Sequence, residues 1–188
     1  WGTSYFFPAI AMASHISACP NHQTFRTVPL KYRIDVAMSG RLGMEIQPKH
    51  MSDEEKELCR RAIADYKQIR PVVQFGDLYR LHSPYAGDNL ASLMYVSDDR
   101  RQAVFYWYKL ETFKNQHLPR IKMQGLDPDR RYVIRELNRI DSQPLACEGK
   151  SYSGAYLMSH GLELPYRHIV DYHKQNDWCS RVLQLTAE

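Results

Sequence analysis

"SHISACPNHQTFRTVPLKYRIDVAMSGRLGMEI", residues 14–46, decides how the chain is read. An apolar segment leads through a polar loop into a helix-spaced stretch and then a second short apolar segment. Residues 4–17 are apolar with no helical period and are interrupted by Pro8. Such a run suits a strand buried on both faces, as in a parallel sheet. "ACPNHQTFRT" is a polar loop. Thr27 is placed to cap a helix with Pro29 in its first turn. Leu30, Ile34, Ala37 and Met38 recur at helical spacing, and Gly40 supplies the stop. "RLGMEIQ" is the second strand candidate.

Further along, Ser52 and Glu55 form a capping box, since the hydroxyl can accept from the third amide while the carboxylate reaches back. Asp53, Glu54 and Glu55 favour the positive end of the helix dipole. Leu58, Ala62, Tyr66 and Ile69 line one face, and Arg70-Pro71 is the expected helix end. Strand, loop, helix, strand, helix is the alternation of a parallel α/β fold. Two such units do not close a sheet, so they are expected to be part of a larger domain. After Gly76 the pattern changes to short runs rich in β-branched and aromatic residues: "LYRLHS", "LASLMYVS", "QAVFYWYKL", "RIKMQGL", "RYVIREL" and "WCSRVLQLT". In the third, Val104, Tyr106, Tyr108 and Leu110 point one way and Phe105, Trp107 and Lys109 the other. Turn residues at Gly87-Asp88-Asn89, Asp98-Asp99 and Asp127-Pro128-Asp129 separate them. This spacing reads as an antiparallel sandwich. The expected fold class is α/β plus all-β, divided near residue 76.

The 188 residues suffice for one good-sized domain or two small ones. The net charge is +4, with Lys and Arg interleaved among acids, which argues against a nucleic-acid-binding face. No apolar run is long enough to span a membrane. Cys19, Cys59, Cys147 and Cys179 include no CxxC pair and read as free thiols rather than a disulfide framework. "WGTSYFFPAIAMAS" begins on Trp1 and reads like mid-protein sequence, so a piece of a longer chain is expected. The 13 tyrosines would serve either a sugar-binding surface or a core.

His15, Cys19 and His22 raise three readings. A structural zinc site needs four ligands, and only three lie here, at a spacing that matches no zinc signature. Cys-His nucleophilic catalysis lacks an evident orienting partner or oxyanion hole. The third reading is a strand-end loop in which Asn21, His22 and Gln23 bond backbone groups and Pro20 fixes a turn. Ligand counting favours this last one. Glu45 lies near a strand end, where α/β barrels carry functional groups, but it shows no partner carboxylate. Asp35 reads as a solvated helix residue or the partner of a nearby Arg. "FYWY" suits a buried core more than a sugar-stacking platform.

The same string, taken whole, resembles the late barrel of melibiase-type α-galactosidases, glycoside hydrolase family 36. "HIS", "PNHQT", "RTVPL" and "AMSGRLG" carry the likeness, "YKQIRPVVQFGDLYRLHSP" continues it, and "GLDPDRRYVI" resembles the C-terminal part. Ala13 stands where the family has Gly, and Gln47 where an Asp is common. The resemblance implies that residues 1–76 are strands seven and eight of a (β/α)8 TIM barrel with their helices. It implies that residues 77–188 are an antiparallel β-sandwich. It implies a retaining hydrolase of terminal α-galactosides, such as melibiose and raffinose-type oligosaccharides, with two catalytic aspartates upstream of Trp1, so that the chain alone is inactive. No residue here takes a catalytic role. His15, Asn21, His22 and Gln23 would border or support the sugar pocket. No metal and no cofactor are implied. The expected partner is the α-galactoside substrate, with neither nucleic acid nor membrane, and the parent has room to be a homo-oligomer in cytoplasm or periplasm. The rival from another class is a non-enzymatic carbohydrate-binding or scaffold sandwich.

Overall fold

The computed structural model describes residues 1–111, 118–140, 143–165 and 177–188. Strand β1 (Ala13–Ile16) leads through the loop into helix α1 (Leu30–Ala37) and strand β2 (Arg41–Met44). β1 and β2 pair in parallel, with His15 opposite Gly43 and Ile16 opposite Met44. The strand–helix–strand unit expected from residues 14–46 is therefore present. Its surroundings differ from the reading of residues 4–17 as a doubly buried strand. Gly2–Tyr5 and Ala9–Ala11 are 3-10 turns, and Tyr5, Phe6 and Phe7 are exposed. Pro8 breaks the run, and among the described residues β1 pairs with β2 alone. Helix α1 also starts differently. Pro29 is its N-cap, with no side-chain cap from Thr27.

Helix α2 (Asp53–Phe75) begins on the capping box read from the sequence, with both reciprocal bonds formed around Ser52 and Glu55. It does not end at Pro71. The helix continues through that residue to Phe75, and the Gly76 N–H bonds the Val72 carbonyl at 2.9 Å. Proline removes one ladder bond. The last turn compensates by burying Val72 and Val73 in the core. Gly76 then turns directly into the sheet. A Cβ there would stand 2.5 Å from the carbonyl oxygens of both Val72 and Val96, so only glycine lets helix and strand approach this closely.

Six strands follow: β3 (Asp77–His82), β4 (Leu90–Val96), β5 (Gln102–Lys109), β6 (Arg131–Leu137), β7 (Ser151–Ser153) and β8 (Cys179–Ala187), with the short helix α3 (Gly154–Ser159) after β7. They form one antiparallel sheet in the order β3-β4-β5-β8-β6-β7. "RIKMQGL" contributes no strand, only a single bridge between Ile121 and Leu162. Every position of β4 is buried, because the sheet is covered on both faces. Leu93, Tyr95, Val104, Tyr106, Tyr108 and Val182 face α1 and α2. Met94, Phe105, Trp107, Ile134 and Leu183 face irregular chain that includes Met123, Leu145 and Leu162. The two-way alternation read in β5 is the one observed. Burial also removes "FYWY" as a sugar-stacking platform: Tyr106 and Trp107 are at most 1% exposed.

The tyrosines explain how α1 sits on the sheet. The hydroxyls of Tyr108, Tyr106 and Tyr95 donate to the carbonyls of Asp35 (3.0 Å), Met38 (2.8 Å) and Ser39 (2.8 Å). Tyr66 of α2 donates to the Gly40 carbonyl at 2.6 Å. The carbonyls at a helix end lack intrahelical donors. Here phenol groups supply them, each ring filling core space while its tip satisfies the backbone. Asp35 overturns its reading as a solvated or Arg-paired residue. It is fully buried, and its carboxylate accepts from Lys31 Nζ (2.5 Å), Ser180 Oγ (2.7 Å) and Asn138 Nδ2 (2.8 Å).

Candidate active-site loop

The loop of residues 17–29 leaves the C-terminal end of β1, and residues 45–52 leave that of β2, so both connections lie at one end of the parallel pair. Functional groups of parallel α/β sheets gather at this end. His15 and Glu45 meet across it, with Nε2 3.2 Å from Oε2. Gly43 permits the approach. It lies opposite His15, and a Cβ on it would come within 3.3 Å of the His15 Cβ. Glu45, which the sequence left without a partner, thus has one, two positions beyond the residue opposite His15.

Asn21 organises the loop. Its Oδ1 accepts from the N–H groups of Gln23 and Thr24, both at 3.0 Å, and from the Thr24 hydroxyl at 3.2 Å. Its Nδ2 donates to Ser17 Oγ at 3.3 Å, and its backbone N–H bonds the Arg26 carbonyl at 3.0 Å. This is an Asx turn extended into a small network. His22 and Gln23 stand exposed on it. The structure therefore does not bring the four residues together as one cluster. His15 pairs with Glu45, Asn21 is consumed by the loop itself, and His22 and Gln23 present free surface. The Cys19 thiol turns toward the Val28 carbonyl, 3.6 Å away. Among the described residues no three His, Cys, Asp or Glu side chains converge where a metal ion would sit.

Beneath the loop lies a cleft of about 750 Å³ bordered by Cys19, Arg33, Glu45, His50, Met51 and Glu55. Its two carboxylates are engaged. Glu45 pairs with His15, and Glu55 accepts from the Ser52 N–H at 3.0 Å. Arg33 anchors the loop's base, donating from Nη1 to the Ser17 carbonyl (2.8 Å) and from Nε to the Val28 carbonyl (3.1 Å). Glu45 and His50 put polar groups at the rim of this cleft. Sequence reasoning passed over Arg33, because its partners are backbone carbonyls and no motif encodes them.

Residues 1–76 match the family model described as Melibiase, and residues 90–185 match the one described as Glycosyl hydrolase family 36 C-terminal domain. Alpha-galactosidase AgaA of Geobacillus stearothermophilus, a variant of which has been solved in complex with raffinose, is 39% identical over 187 residues, spanning 100% of this chain and 23% of that protein. Probable alpha-galactosidase G of Aspergillus terreus is 40% identical over 167 residues, covering 88% of this chain and 21% of its own length. The crystal structure of the GH36 alpha-galactosidase AgaB from Geobacillus stearothermophilus superposes with a TM-score of 0.85 at 37% identity, over 100% of this chain and 23% of AgaB. The chain thus spans less than a quarter of the length of these relatives. Two family models and the whole-length likeness lead to one conclusion: the chain belongs to glycosyl hydrolase family 36.

Proposed function

We propose that this chain is the C-terminal portion of a retaining α-galactosidase that hydrolyses terminal α-galactosides of the raffinose type. In this reading, residues 1–76 close a (β/α)8 barrel with its last two strands. Residues 77–188 are the C-terminal sandwich, with the six-stranded sheet as its main layer. The observation that carries the reading is the match over the full chain to α-galactosidases that are each more than four times as long.

Retention needs a nucleophilic carboxylate and an acid/base about 5 Å apart across the scissile bond. One attacks the anomeric carbon. The other protonates the departing oxygen and then activates water. The cleft's own carboxylates are occupied by His15 and by the α2 cap. Both catalytic aspartates are assigned to the portion upstream of Trp1. This chain contributes the wall of the pocket: the His15–Glu45 pair at the strand ends, and the Asn21 loop that presents His22 and Gln23.

The test compares two proteins. Enzyme that includes the upstream portion is expected to release galactose from a nitrophenyl α-galactoside, with the α-anomer appearing first by NMR. The 188-residue chain is expected to release none. Turnover by the short chain, or the β-anomer first, would sink the proposal. Within the long enzyme, His15→Ala removes the partner of Glu45. Both side chains are about half exposed or more, so the pair contributes roughly 0.2–1 kcal/mol and kcat/KM should fall by up to about fivefold. Unchanged kinetics with a lowered Tm would leave His15 a purely structural role.

A further inference from the structure

Arg33 bridges two points that are distant along the loop. Ser17 is the first residue after β1, and Val28 comes just before the Pro29 cap of α1. One guanidinium bonds both of their carbonyls and so closes the loop at its base. Asn21 knits the other end. The residues between, His22 and Gln23 among them, are held by a hub at the tip and a clamp at the root.

The clamp has a fixed footing. Lys31 and Asp35, each two residues from Arg33, tie α1 to the sheet through Ser180 and Asn138. Two residues on a helix are about 200° apart. Arg33 therefore projects away from the anchored face while sharing its rigidity. A planar guanidinium presents donors in a rigid fork that reaches two acceptors at once, which an ammonium on a flexible stem does not do equally well.

We propose that Arg33 is a positioning residue for the hydrolytic site: it does not touch the sugar, and it fixes the 17–28 loop over it. This rests on the reading of the chain as part of an α-galactosidase. The C-terminal sheet thereby acquires a part in the reaction, because its Ser180 and Asn138 hold the helix from which the clamp extends. Displacing a positioning element by about 1 Å can cost on the order of 100-fold in rate.

The experiment uses the long enzyme with Arg33→Ala and Arg33→Lys. Arg33→Ala should lower kcat/KM by about 10- to 100-fold, mainly through kcat. Added guanidinium should restore part of that loss, and Arg33→Lys should fall between Arg33→Ala and wild type. Tryptic cleavage after the exposed Arg26, followed by mass spectrometry, should accelerate in both variants. If Arg33→Ala does not fold, Arg33→Lys carries both measurements. A kcat/KM within about twofold of wild type in a folded variant overturns the proposal. So does a loss that tracks Tm alone, with no guanidinium rescue and an unchanged Arg26 cut. A wild-type enzyme that turns over no galactoside overturns the functional reading instead, and the tryptic comparison still decides the clamp.

Discussion

Asp35→Ala is expected to destabilise the protein by about 3–5 kcal/mol, measured as the shift in urea midpoint at constant m-value. Asp35 is fully buried and Lys31 is 3% exposed, with Nζ and Oδ2 2.5 Å apart. Without the carboxylate, the Lys31 ammonium keeps the Ser180 carbonyl at 3.0 Å and loses its counter-charge. Ser180 Oγ and Asn138 Nδ2 lose the same acceptor. An unpaired buried charge costs far more than the intact pair contributes. Lys31→Met combined with Asp35→Ala should therefore be less damaging than Asp35→Ala alone. That inverted order in a double-mutant cycle is what the network requires. A single-variant loss below about 1 kcal/mol would show the cluster to be hydrated and loosely held.

Asp35 also marks where reading the sequence stops working. Its helical neighbours suggested solvent or an arginine, but its partners Ser180 and Asn138 lie 145 and 103 residues further along. The capping box at Ser52 was legible because both members lie within one turn. The β5 alternation was legible because a period of two survives in a strand buried on both faces. Pro71 was misjudged for the opposite reason. Its local penalty is real, but Val72 and Val73 gain burial against a sheet that no local window contains. In the candidate site the same division holds. Asn21 bonds residues two and three ahead, as Asx turns do, and a loop role for it follows from the sequence. The His15–Glu45 pair needs the parallel register of β1 on β2, and the Arg33 clamp needs the loop to be folded first. The whole-length resemblance to galactosidases supplied the family, which no single motif did.

Raising the pH above 10 is expected to unfold the protein cooperatively. Burial pushes the phenol of Tyr95 up to about 12 from an ordinary value of 10.0. Burial raises Tyr106 and Tyr108 well above that ordinary value, and nearby charge, including that of Asp35, adds to the rise. Tyr32 is raised in the same way, by burial first and Asp35 second. In each case the folded state keeps the proton that the unfolded chain gives up near pH 10. The unfolded state then binds fewer protons, so the stability these four phenols contribute is fully present below pH 10 and is lost as pH rises toward the folded value. Each such group contributes about 1.4 kcal/mol per pH unit. Four together give on the order of 5 kcal/mol per unit, comparable with the whole stability of an ordinary domain. Burial also raises the thiols of Cys59 and Cys147 and the phenols of Tyr132 and Tyr152, which add to the loss, while Lys109, lowered by burial, works in the other direction. The hydroxyls concerned include those that hold the end of α1, so their ionisation and the release of α1 should be a single event. Circular dichroism should therefore fall in one steep transition, with a step in tyrosinate absorbance at the same pH on top of the background from exposed tyrosines such as Tyr5 and Tyr85. Tyr106→Phe should make that transition shallower by about 1.4 kcal/mol per pH unit, while lowering neutral stability by ~1 kcal/mol for the lost bond to Met38. Tyrosinate absorbance that falls by one phenol in Tyr106→Phe while the far-ultraviolet signal is still intact would mean that Tyr106 ionises in the folded protein and is open to solvent, contrary to its packing.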